Sequence, residues 1–257
     1  MAHQPSQISE APLIELRTTK GALEQRWLSM SSQLGPMLGF SSQQLRMDAE
    51  AQAERVWVGL QGTACERVNR NRGGAARVVP LRALQKDLFA WLGLQEVWDI
   101  EVGPRPFVFR QLSLTVHFGY LGDPIKPQAF RLEWPGIRNW NGAGLSFQTS
   151  GAGHPHWQID ILESLAGTKN EGFAVEPSET VEDFGAEQGA PDLNDLLRTI
   201  SIEKMHLASA ARWWLPPTSD ARGHHMNMPP DLAGLTRWLA QSVLYMQQEL
   251  ARCVFRV

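Results

Sequence analysis

The sequence predicts an α+β fold, with a four-stranded antiparallel meander and with N-terminal and C-terminal helices packed on one face. Three observations carry this. Residues 107–118 alternate between apolar and polar side chains, the period of a half-buried strand. Further alternations follow after short turn-forming stretches, as in a meander. The outer thirds of the chain instead repeat apolar residues at helical spacing.

Taken in order, residues 1–12 read as a loose polar tail without the charged-then-apolar pattern of a signal peptide, and residues 13–257 as one domain. Residues 22–34 and 43–54 have helix-forming composition, and the Gly35-Pro36 pair is expected to end the first helix. Val56, Trp57 and Val58 favour a short strand over 55–60, and residues 69–74 read as a loop. A third helix is predicted from Pro80, with Leu81, Leu84, Leu88, Trp91 and Leu92 on one stripe and Gly93 as its stop.

Strand 107–118 is followed by the turn Gly122-Asp123-Pro124 and by a second alternation through Phe130, Leu132 and Trp134. Leu145, Phe147 and Thr149 suggest a third strand, and residues 156–162 a fourth, with Trp157, Ile159 and Ile161 toward the core. Residues 166–191 read as a long acidic surface loop. Helical spacing returns through Leu193, Leu196, Leu197 and Ile200, although residues 198–206 also alternate. A final helix opens at Pro229-Pro230-Asp231 and places Leu232, Leu235, Leu239, Val243, Met246 and Leu250 on one face.

Composition bounds the function. A net charge of −3 over 257 residues argues against a protein that coats nucleic acid through its overall field. The charge is nonetheless segregated. Arg67, Arg70, Arg72, Arg77, Arg82 and Lys86 form a basic stretch, while residues 170–195 carry only acids. Ten tryptophans point to anchored cores or interfaces. No apolar run reaches the roughly 18 residues of a membrane span, so a cytoplasmic protein is expected. Cys65 and Cys253 fit no metal-ligand or redox spacing and read as reduced thiols. Phosphate-loop, dinucleotide-binding, nucleophile-elbow and zinc-protease motifs are absent from the sequence.

Candidate chemistry centres on the segment from His154 to Asp160. If Trp157, Ile159 and Ile161 face the core, His154, His156, Gln158 and Asp160 share the other face. His117, Arg131 and Glu133 of the preceding strands would join them there. His-x-His on a strand presents two nitrogens to one divalent ion such as zinc, with His206 as the leading third ligand and His117, Glu133, His224 or His225 as substitutes. Asp160 or Glu133 would then handle protons. The competing readings are a metal-free polar site involving His117, Arg131 and Gln158, and plain solvent exposure of a sheet face. Arg70 and Arg72, beside Gly73-Gly74, have the chemistry of a phosphate-holding loop, with a plain solvated loop as the favoured reading.

The run Phe130-x-Leu132-x-Trp134-Pro135, then Leu145-x-Phe147-x-Thr149, then His154-Pro155-His156, loosely resembles the meander and His-Pro-Asn turn of ubiquitin-conjugating-enzyme-like domains. The cysteine those enzymes need does not follow until Cys253, and His156 stands in the asparagine position. The resemblance therefore implies an inactive, partner-binding relative, and membership is not assigned. The sequence as a whole is read as a non-enzymatic interaction subunit of a cytoplasmic, bacterial complex that needs no cofactor. A metal-dependent hydrolase or nuclease is the alternative, and RNA binding through Arg67, Arg70, Arg72, Arg77 and Arg82 a weaker one.

Overall fold

The computed structural model describes residues 15–38, 45–69, 74–85, 87–136, 155–160, 200–201, 205 and 229–255. Its centre is a hairpin of two long strands, β6 (Leu88–Ile100) and β7 (Phe107–Tyr120), paired antiparallel along their length. Each strand divides its outer edge between two partners. β6 pairs with β3 (Arg55–Gln61) near one end and with β5 (Ala75–Gln85) near the other. β7 pairs with β8 (Gln128–Pro135) and, at Phe107 and Val108, with the short β1 (Arg17–Thr18). β2 (Arg46–Gln52), β4 (Glu66–Asn69) and β9 (His156–Ile159) complete a nine-stranded sheet by pairing with β3, β5 and β8. Residues Ile200–Ser201 (β10) and Val254–Phe255 (β11) form a separate two-stranded ladder.

This branched sheet replaces the expected four-stranded meander. Residues 46–52 are the edge strand β2, not a second helix, and the stretch read as a third helix is divided between β5 and β6. Gly93 ends nothing: it sits mid-strand, where a Cβ would collide with the Thr115 hydroxyl of β7. The strands expected at 55–60, 107–118 and 130–134 are present as β3, β7 and β8. The tail at 1–12, the strand at 145–149, the acidic loop at 166–191 and residues 193–199 of the expected helix lie outside the described residues, while Ile200–Ser201, where helical and alternating patterns compete, is strand β10.

Two helices pack on one face. α1 (Lys20–Met37) starts at Thr19, whose hydroxyl accepts from Ala22 N, and continues through Pro36 to close at Leu38. α2 (Leu232–Leu250) starts at Asp231, whose carboxylate accepts from Gly234 N. Both caps satisfy backbone donors that a helix start leaves open. Leu23, Trp27, Met30 and Leu34 of α1 and Leu235, Trp238, Leu239, Val243 and Met246 of α2 enter one core with Val58, Leu92, Leu114, Phe130 and Leu132 of the sheet.

A carboxylate with no exposure is buried in that apolar layer. Glu96 of β6 is 0% exposed and accepts from Arg26 Nη1 at 2.6 and 2.5 Å, from Trp98 Nε1 at 2.6 Å and from Trp27 Nε1 at 3.2 Å. Arg26 Nε in turn donates to Thr236 Oγ1 of α2 at 3.1 Å. One charge thus ties both helices to the central strand, and its burial is sustained only because donors surround it. Edge strand β2 is blunted in a different way. Met47 N donates to Ser31 Oγ of α1 at 2.8 Å and Ala49 N to Asp48 Oδ1 at 2.9 Å, so these amides are not open to strand addition.

Candidate functional site

The face on which no helix packs among the described residues carries Lys126, Arg131 and Asp160, and the β4–β5 hairpin divides it. Across that hairpin Glu66 lies opposite Val78, Arg67 opposite Arg77 and Val68 opposite Ala76. Alternation puts Glu66, Val68 and Val78 on one side and the two arginines on the other. The first side packs Val68 and Val78 on Trp91 of β6. The second faces a cleft of about 410 Å³ lined also by Asp48, Glu50, Trp57, Gln61 and Gln95.

Lys126 anchors the Trp91 half. Its side chain is fully buried, with Nζ 2.6 Å from Glu66 Oε2, 4.4 Å above the Trp91 ring and donating to Asp123 O. Trp91 Nε1 donates to Gly119 O at 2.9 Å, and a Cβ at Gly119 would meet Lys126 Cγ at 2.5 Å. The 121–127 connection is braced at further points. Gly122 N donates to Glu66 Oε1 at 3.1 Å, and Ile125 N to Asp123 Oδ1 at 2.8 Å. On this fixed loop Leu121 and Ile125 are 68% and 56% exposed. Beside them, burial first and then the carboxylates of Asp87 and Asp123 push the Tyr120 phenol above its ordinary pKa.

The residues singled out from the sequence are partly brought together. Glu133 lies opposite His156, and Arg131 opposite Gln158, in the β8–β9 pairing. Arg131 donates to Gln158 Oε1, and Gln158 Nε2 lies 2.9 Å from His156 Nε2. Arg131 Nε is 3.7 Å from both Glu133 Oε1 and Asp160 Oδ2, and Gln128 Nε2 donates to Asp160 Oδ2 at 2.6 Å. The result is a guanidinium held between two carboxylates, largely out of solvent. It fastens β9 to β8, and both Arg131 and Gln128 lie against Asp160 Oδ2. His117 is buried on the same face, opposite Gln128 in the β7–β8 pairing, with Nδ1 2.9 Å from Lys126 O and Nε2 3.0 Å from Oγ1 of Thr115, which lies opposite Arg131.

His154, His206, His224, His225, Arg70 and Arg72 lie outside the described residues. Among the described residues no group of three histidines, cysteines or acids has metal-holding geometry. The basic stretch is not one patch. Arg67 and Arg77 line the cleft, whereas Arg82 donates to Gln247 O of α2 at 3.3 Å. Of the seven described tryptophans, Trp27, Trp91, Trp98, Trp134 and Trp238 are buried, so the tryptophan excess serves the core more than the surface. Burial pushes the Cys65 and Cys253 thiols up to about 11, which keeps both protonated near neutral pH and poor as nucleophiles.

Sequence reasoning missed Lys126, Glu66 and the cleft. The Gly-Asp-Pro turn marked where the loop falls, but its brace comes from β4, about 60 residues earlier in the chain. Among the described residues no helix is long and apolar enough to cross a membrane. The described residues have the architecture of an α+β protein, with a branched antiparallel sheet beneath N-terminal and C-terminal helices. No family model, curated protein or solved structure matches the chain.

Proposed function

We propose that the chain is a non-enzymatic interaction subunit of a cytoplasmic complex, and that it docks a partner protein through the 121–127 loop. The observation that carries this reading is the pairing of exposure with rigidity: Leu121 and Ile125 project from a loop fixed by a buried lysine, an Asx turn and two bonds to Glu66. Single exposed aliphatic residues are ordinary. Two on a preorganised loop form an anchor that loses little conformational freedom on binding. Asp87 and Asp123 near Tyr120 give this tip an acidic rim. The matching partner surface is an apolar pocket with a basic border, since complementary charge orients docking and excludes wrong partners.

Purification from the native host tests this. A stoichiometric partner should accompany the chain. Recovery as a lone monomer with catalytic turnover would overturn the reading.

A further inference from the structure

The cleft on the other side of the β4–β5 hairpin has opposed charges on its two walls. β3 and β5 share one edge of β6 but part company between Gly59, opposite Gln95, and Val78, opposite Gly93. Beyond that fork the hairpin stands as one wall, bearing Arg67 and Arg77. β2 is the other, with Asp48 opposite Gly59 and Glu50 opposite Trp57. Gly59 carries no side chain, so a notch opens between Trp57 and Gln61 along β3 and between Asp48 and Gln95 across it.

The charges lining this notch have not neutralised one another. Arg67 and Arg77 face each other directly across the hairpin, an arrangement that costs stability unless an acceptor lies between or beside them. Arg77 Nη1 finds one acceptor in Gln61 Oε1, but neither arginine forms an ion pair among the described residues. Asp48 and Glu50 likewise form none; Asp48 accepts only the amide of Ala49. All four side chains are on exposed residues. An anion-holding end therefore faces a cation-holding end, with an indole and two carboxamides between them.

We infer that this cleft binds a short zwitterionic peptide of two or three residues, its ammonium group on Asp48 and Glu50 and its carboxylate on Arg67 and Arg77. Guanidinium groups suit a carboxylate because they present paired donors. Gln61 and Gln95 offer the donor and acceptor pairs a peptide bond needs. Trp57 supplies a flat apolar surface for a side chain. Size agrees as well. The cleft volume of about 410 Å³ lies in the range of small-ligand sites. β3 stands between β2 and the hairpin, which sets the walls about two strand spacings, roughly 10 Å, apart, and three extended residues span about 10 to 11 Å. The site is separate from the docking loop and does not depend on it.

Isothermal titration calorimetry of the full chain with Ala-Leu-Ala and Ala-Phe-Ala tests the inference. The free tripeptides should bind one to one, and either N-acetylation or C-terminal amidation should weaken binding at least tenfold. In Asp48→Asn/Glu50→Gln the free peptide should bind no better than its acetylated form; in Arg67→Gln/Arg77→Gln the same should hold for the amidated form. Because these side chains are exposed, each variant should keep the wild-type circular dichroism spectrum and a Tm no lower than wild type. No binding of either tripeptide, or blocked peptides that bind as tightly as free ones, would overturn it.

Discussion

The two faces of the sheet each bury a charge, and they do so to different ends. On the helix-covered face Glu96 is enclosed by Arg26, Trp27 and Trp98, and the cluster reaches both helices and the central strand. On the other face Lys126 is enclosed by Glu66, Trp91 and the Asp123 carbonyl, and it joins β4, β6 and its own loop without reaching either helix. Glu66 itself keeps 23% of its side chain exposed, whereas Glu96 keeps none. The contrast separates a charge that unites the fold from one that shapes a surface.

Substitution of these two groups breaks the comparison most directly. Glu96→Ala leaves Arg26 buried without its counter-charge and should cost about 3 to 5 kcal/mol in urea denaturation. Lys126→Met keeps the apolar stem and leaves Glu66 able to turn to water, so its cost should be smaller, roughly 1.5 to 3 kcal/mol. Equal losses would show that the two faces contribute alike. Gly93→Ala tests the sheet between them. A Cβ there displaces Thr115 and with it the hydrogen bond to His117, for an expected loss of about 1 to 3 kcal/mol. Asp231→Ala removes one helix cap and should cost about 1 kcal/mol.

A separate effect is on pH dependence at the alkaline end. Cys65 and Cys253 ionise near 11 in the folded chain and at lower pH when unfolded. The folded state therefore holds more protons in that window, and stability should fall as pH rises from about 9 to 11. Cys65→Ser/Cys253→Ser should flatten the alkaline limb of a Tm against pH curve. An unchanged limb would place the titration elsewhere.

What could be read from the sequence follows the same division between the faces. β7 alternates visibly over most of its length, and α2 has one clean apolar stripe, so both were legible. β6 was not. Trp91 is buried by the β4–β5 hairpin on one face while Leu92 and Leu94 are buried under the helices on the other. A strand covered on both sides loses its two-residue period, and its apolar residues then also fit a helical stripe. β2 failed for the opposite reason. An exposed edge strand needs few apolar residues, and Met47, Ala49, Glu50 and Ala51 carry helix-forming composition that sheet pairing overrides.

At the candidate site, alternation was enough to place Arg131, Glu133, His156 and Gln158 on one face, because β8 and β9 are neighbours in the sheet. Alternation could not reveal Glu66 beneath the 121–127 loop or the opposed walls of the cleft. Both depend on how the hairpin leaves the sheet at the β3–β5 fork, a property of tertiary geometry with no local spacing to announce it.

The central claim is that the sheet face opposite α1 and α2 presents a braced docking loop whose exposed residues serve recognition and not folding. Leu121→Ser/Ile125→Ser, compared with wild type for Tm and for partner recovery from the native host, tests it most directly. The expected result is a Tm within a degree or two of wild type and loss of the partner. Retention of the partner, or a large fall in Tm, would contradict the claim.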